Sequence, residues 1–95
     1  MADYRLSSEA RNDLIRMHQH GIRRFGTKQA DRYFENFFSC FDIIADRPFS
    51  FESADGIRKG YRKCVCSADT VFFRINDKVV EIMAIIGQQD LEEWL

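Results

Sequence analysis

Four soft ligands lie in two short clusters, His18-Gln19-His20 and Cys64-Val65-Cys66, enough in number for a zinc ion. Their spacing works against that chemistry. Residues two apart on a helix point about 200° away from each other, so the two histidines cannot chelate together, whereas chelating helical pairs sit four apart. The cysteines are better placed, because residues two apart on a strand share a face. Buried free cysteine nevertheless behaves as a small hydrophobe, and core packing is the reading adopted for them. No metal and no other cofactor is expected.

The run Ile57-Arg58-Lys59-Gly60-Tyr61-Arg62-Lys63 places four cations around one aromatic, and Arg74 joins them from a later strand. Such a cluster is either a phosphate- or carboxylate-binding patch, where arginine offers a fork that lysine cannot, or an edge strand guarded against aggregation. Both readings stay open for Arg58 and Arg62. Arg74 differs, because it sits between Phe73 and Ile75 in a central strand, where an unpaired charge is costly.

Catalytic arrangements are missing from the pattern. The chain has no Gly-rich phosphate loop, no helical His pair and no Ser or Cys flanked by a base. Scattered Asp and Glu leave an acid–base pair open. The stretch after the last strand, Gly87-Gln88-Gln89-Asp90, holds no His, Tyr, Lys or Arg to move a proton at neutral pH.

The elements that must position these residues read as β-α-α-β-β-β. Tyr4-Arg5-Leu6 alternates as a short strand, and Ser7-Ser8-Glu9 opens a helix from about Ser8. Ala10, Leu14, Met17, Gly21 or Ile22, and Phe25 keep helical spacing until Gly26 stops it, and Thr27 is expected to cap a second helix. There Ala30, Tyr33, Phe34, Phe37, Phe38, Phe41, Ile44 and Ala45 form one aromatic face up to Asp46 and Pro48. So short a junction predicts an antiparallel hairpin. Phe49 to Gly56 reads as a loop. Tyr61–Cys66, Val71–Ile75 and Val79–Ile86 are strands of an antiparallel meander, with turns at Ser67-Ala68-Asp69 and Asn76-Asp77. Asp90 to Leu95 is expected to make one helical turn. A hairpin on one face of a four-stranded sheet cannot turn Tyr33, Phe34, Phe37, Phe38 and Phe41 all inward, so part of this face is a candidate docking groove.

The chain's 95 residues allow one domain, here 1–95, and 45% hydrophobic with 31% charged residues is a globular composition. Nine Phe suit a small core that must be filled by large rings. The net charge of -1 argues against direct nucleic-acid binding by a uniformly basic surface, but it conceals a split. Residues 48–78 carry six Lys/Arg against four Asp/Glu, and residues 79–95 carry none against four. Three cysteines, an odd count, do not suit a disulfide framework, and no signal-like segment opens the chain, so a reducing cytoplasm is the expected setting. No apolar run approaches the ~20 residues that span a bilayer, and no membrane association is expected.

With that order of elements, the chain resembles ParE toxins of the ParE/RelE toxin–antitoxin superfamily. Tyr4-Arg5-Leu6-Ser7-Ser8-Glu9-Ala10 with Asp13-Leu14 resembles the family's Y-x-L-S-x-x-A-x-x-D-L opening. Phe25-Gly26, Gln29-Ala30 and Tyr33 resemble its helix junction, and Ile43 to Pro48 its closing L-x-x-x-P. Gly60-Tyr61-Arg62, Val71-Phe72-Phe73-Arg74 and Ile85-Ile86-Gly87-Gln88-Gln89-Asp90 resemble the strand blocks, in the right order along nearly the whole chain. Family members often carry a cation in the last block, where this chain has Gln88-Gln89.

The resemblance implies an α+β fold, with the helical hairpin packed on a mainly antiparallel four-stranded sheet and a short C-terminal helix. It also implies a non-catalytic toxin that binds DNA gyrase, stabilises its cleaved DNA complex and blocks replication. Members of the RelE branch share that fold but cut messenger RNA on the ribosome, so the alternatives are a ribosome-dependent ribonuclease using Arg58, Arg62 and Arg74, or a degenerate toxin without activity. The implied partner is a ParD-like antitoxin, in a hetero-oligomer of 2:2 or larger, whose disordered tail folds on the toxin. Tyr33, Phe37, Arg58, Arg62 and Arg74 are its candidate contacts, and Gln88, Gln89 and Trp94 are the candidate contacts for the target.

Overall fold

In the computed structural model, residues 3–87 are described. The first helix, α1 (Ser8–Phe25), starts where the Ser7 hydroxyl accepts the Ala10 N–H at 3.0 Å, with Glu9 in its first turn and Arg23 and Arg24 in its last, both favourable to the helix dipole. Gly26 ends it at φ 89°, a conformation that L side chains rarely adopt, while its N–H reaches the Ile22 carbonyl at 3.0 Å. The second helix, α2 (Thr27–Asp46), follows at once. Gly26, not Thr27, is its N-cap: the turn is so tight that Thr27 is already helical, and no side chain caps the end. Gly21 on α1 meets Ala30 on α2, where an added Cβ would stand 3.3 Å from the Ala30 Cβ, and His18 meets Asp31. These pairings run in opposite directions along the two helices, so the expected antiparallel hairpin forms.

Pro48 closes α2, and a 3₁₀ turn at Pro48–Ser50 occupies the start of the expected loop. The strands are β1 (Tyr4–Leu6), β2 (Arg62–Cys66), β3 (Asp69–Asn76) and β4 (Val79–Gly87), in the order β1-β4-β3-β2. β2, β3 and β4 form the antiparallel meander, and β1 adds to β4 in parallel. Asp69 and Asn76, read as turn residues, belong to β3, because the turns are tighter. Asp77 and Lys78 both take positive φ, as the favoured two-residue hairpin loop requires. The expected C-terminal helical turn lies outside the described residues.

Register decides what each face of the sheet presents. Phe72 pairs with Ala84 but Phe73 with Ile82, so β4 carries one extra residue, Met83, at a bulge. Ser7 holds that point, its O–H donating to the Met83 carbonyl and its N–H to the Ile82 carbonyl, each at 2.9 Å. On the helix side, Val71, Phe73, Val80, Ile82 and Ile85 pack with Leu14, Phe37, Phe41 and Ile44. On the other side, Phe72, Ala84 and Ile86 are covered by Ala54, with Ile57 and Tyr61 alongside. The segment between Phe51 and Tyr61 is therefore a lid on a second small core, not a bare connection. Each of the fully buried rings Phe37, Phe41, Phe72 and Phe73 contributes about 1.5–3 kcal/mol.

Candidate interaction surface

The apolar stripe of α1 and the aromatic face of α2 do not close completely over the sheet. They leave a groove of 1180 Å³ at the end where β3 begins and β4 finishes. Leu14, Met17, Ala30, Phe34 and Phe37 are among its apolar lining, with Ile85 and Ile86 from β4. Arg16, His18, His20, Arg23 and Arg24 line it from α1. The excess of aromatic residues on α2 is divided accordingly. Phe37 is 2% exposed and packs in the core, reaching the groove only as part of its floor. Tyr33 is 36% exposed, stands edge-on to Phe37 and stays at the groove.

Buried carboxylates tie this groove together. Asp13, on the apolar side of α1, accepts the Ile85 N–H at 3.0 Å and pairs with Arg16 at 3.0 Å. β1 pairs with β4 only at Val80 to Ile82, so beyond its end Asp13 takes the place of a neighbouring strand. Asp69, 8% exposed, accepts a short hydrogen bond from the Tyr33 hydroxyl. Burial first, and then this bond, push the Tyr33 phenol up to about 12, far from any proton transfer at neutral pH. His18 is held by Asp31 at 2.7 Å and lies against the Phe34 ring. The groove presents apolar surface and fixed cations, which suits an amphipathic segment better than a reacting substrate.

The arginines do not form one patch. Arg62, directly opposite Phe73, turns to the helix side, where its guanidinium donates to the Phe51 carbonyl at 2.7 Å and sits 5.2 Å from the centre of the Phe49 ring. Arg74, opposite Glu81, is on the other face and bonds that carboxylate at 2.8 Å, with Arg5 at 3.4 Å on its far side. The hydrogen bond from Arg74 holds the Glu81 carboxyl below its ordinary range. The cost of a central-strand charge is thus met by an exposed position and a cross-strand partner. Arg58 is exposed in the turn before β2.

Cys64 and Cys66 share the helix side of β2, as strand spacing requires, but Cys66 is bonded to Cys40 of α2. The odd count argued against a disulfide framework, and this single bridge corrects it. One cysteine, Cys64, is left free, and burial pushes its thiol up, away from the reactive thiolate. Among the described residues no group of three or more His, Cys, Asp or Glu is placed to hold a metal. Gln88, Gln89 and Trp94 lie outside the described residues. Sequence reasoning passed over the roles of Asp13, Asp69 and Glu81. The signal for Asp13 was available, a carboxylate three residues after Ala10 on an otherwise apolar stripe.

Two helices on a four-stranded mixed sheet define an α+β architecture shared with solved structures. The chain superposes on a chromosomal ParDE toxin–antitoxin system from P. aeruginosa with a TM-score of 0.81, covering 92% of this chain and 96% of that one at 16% identity. It superposes on a point mutant of YafQ from E. coli with a TM-score of 0.61, covering 96% and 98% at 13% identity. The model of the ParE toxin of the type II toxin–antitoxin system parDE matches residues 4–92. Toxin ParE1 of Caulobacter vibrioides is 32% identical over 88 residues, 93% of this chain and 91% of that protein. Toxin ParE1 of Mycobacterium tuberculosis is 28% identical over 87 residues, 90% and 89%. The chain belongs to the ParE toxin family of type II toxin–antitoxin systems. Among the described residues no helix is long and apolar enough to cross a membrane.

Proposed function

We propose that this toxin acts by binding: it seizes DNA gyrase in the cytoplasm, stabilises the cleaved DNA complex and is neutralised by a ParD-like antitoxin. The observation that carries this reading is the commitment of the two buried carboxylates at the groove to internal contacts, Asp13 to Ile85 and Arg16 and Asp69 to Tyr33. What they leave is a surface for recognition, an apolar groove edged with arginine. Exposure of Tyr33 at the groove and of Arg58 before the edge strand supports both as antitoxin contacts, although neither is without a partner in the chain. Arg62 and Arg74 are spoken for by Phe51 and Glu81, and an acidic antitoxin segment reaches them only by sharing or displacing those bonds. Gln88 and Gln89 are proposed to face the target. An assembly of 2:2 or larger follows if the antitoxin is itself a dimer.

A ribonuclease of the RelE type would draw Arg58, Arg62 and Arg74 around one phosphate. The opposite faces taken by Arg62 and Arg74 weigh against that arrangement. Induction of the toxin without antitoxin separates the two. The binding reading expects a DNA-damage response and unchanged messenger RNA ends. New codon-positioned cuts without DNA breaks would sink it.

A further inference from the structure

Between Arg11 and Arg32 the chain carries six Lys/Arg against two acids, Asp13 and Asp31. Both carboxylates are committed, Asp13 to Ile85 and Arg16, Asp31 to His18. Arg23, Arg24, Lys28 and Arg32 are exposed, and none of them enters an ion pair among the described residues. The near-neutral total of the chain therefore conceals a cationic tip on the helical hairpin.

That tip is continuous. Arg23 and Arg24 line the groove described above, Lys28 and Arg32 line a second hollow of 860 Å³ on α2, and Phe25, Gln29 and Tyr33 line both. Around Lys28 and Arg32 the hollow is mostly polar, with Gln29, Asn36 and Ser39 beside a single acid, Glu35. Phe25 is its one wholly apolar side chain, and the Arg24 guanidinium sits 5.5 Å from the centre of that ring. A partner here is held by charge and hydrogen bonds, because there is no apolar stripe for an amphipathic helix to bury. Phosphate oxygens suit such a surface, and they are the groups that Arg, Lys, Ser, Asn and Gln side chains meet along a nucleic-acid backbone. Lys28 and Arg32 stand four residues apart on one face of α2, roughly 6 Å along its axis, so both can follow one strand.

We infer that the hairpin tip, with Arg23, Arg24, Lys28 and Arg32, is a contact surface for the phosphate backbone of duplex DNA. These cations grip phosphates without reading base edges, so binding is independent of sequence. With gyrase holding cleaved DNA, as proposed above, the tip gives the toxin a second hold beside its contact with the enzyme, and two linked contacts bind more tightly than either alone. The surface rests on the gyrase reading only for the source of the DNA.

Fluorescence anisotropy of a short labelled duplex of arbitrary sequence, titrated with purified full-length toxin, tests this without gyrase. Binding at low salt is expected, with the logarithm of the association constant falling against the logarithm of salt concentration at a slope of about -3 to -4 for four neutralised phosphates. The double variant Lys28→Gln/Arg32→Gln reduces that slope by about 2 and weakens binding at least tenfold at low salt, with far-UV circular dichroism unchanged. Arg47→Gln/Lys78→Gln removes two cations elsewhere and leaves binding as it was. No binding of the unmodified toxin at low salt, or a flat salt dependence, overturns the proposal whether or not the variants fold. Equal loss in the two double variants also overturns it, because it assigns the effect to overall charge. Poly-L-glutamate that binds the toxin as tightly as the duplex overturns it too, and gives the tip to an acidic protein. A toxin that traps gyrase-cleaved plasmid but binds no free duplex refutes the DNA contact and leaves the gyrase reading standing.

Discussion

Asp13 on α1 accepts the backbone N–H of Ile85 on β4 at 3.0 Å, and this bond fastens the helical hairpin to the sheet where the groove opens. Ile85 is 1% exposed and Asp13 6%, so neither group can turn to water instead. Asp13→Ala should cost about 1–3 kcal/mol, the penalty for stranding a buried donor. Asp13→Asn, which keeps an accepting oxygen, should cost less. Urea denaturation of both variants checks this, and equal losses would mean that the ion pair with Arg16 matters more than the bond to Ile85.

Tyr33 and Asp69 make the second such tie, from α2 to the start of β3. The phenol's ordinary value near 10 is raised to about 12, so the bond favours the protonated form. Its contribution is complete below pH 10 and fades as pH rises from 10 to about 12. Tyrosinate absorbance should show a titration in that upper window that Tyr33→Phe removes. The same substitution leaves the buried Asp69 carboxylate without its donor, at about 1–3 kcal/mol.

The Cys40–Cys66 bridge joins α2 to the edge strand across 26 residues. A loop of that length restricts the unfolded chain by about 3.5 kcal/mol. Reductant should therefore lower the urea midpoint, and Cys40→Ser should reproduce the loss and make the protein insensitive to reductant. Thiol counting under native and denaturing conditions supplies the control: one free thiol in the oxidised protein, three after reduction. An unchanged midpoint would show that the sulfurs contribute only as packed apolar groups.

The hairpin is legible in the sequence because its signals are local. Ser7 before an acid, Gly26 between two amphipathic runs and Pro48 after the second each act within one turn of backbone. Thr27 misleads for the same reason, since a cap is recognised by residue type while the tightness of the junction is not. The groove is legible in outline from the crowding of Tyr33, Phe34, Phe37, Phe38 and Phe41. Which rings stay outside depends on how α2 is rotated over the sheet, and that buries Phe37 but leaves Tyr33 at the opening. The separation of Arg62 from Arg74 depends on register across β2, β3 and β4, which pairs one with Phe73 and the other with Glu81. Register is a relation between strands and is absent from any single run. The same holds for Cys40 and Cys66, whose pairing needs α2 laid along β2.

The central claim is that the toxin acts on gyrase by binding alone, and a purified system tests it most directly. Gyrase, supercoiled plasmid, nucleotide and the toxin are incubated, and the reaction is stopped with detergent and protease. Linear plasmid that accumulates with toxin concentration, and that falls when a cognate ParD-like antitoxin is added, is the predicted result. Plasmid that stays uncleaved at every toxin concentration, under conditions where a known gyrase poison gives linear product, would contradict the account.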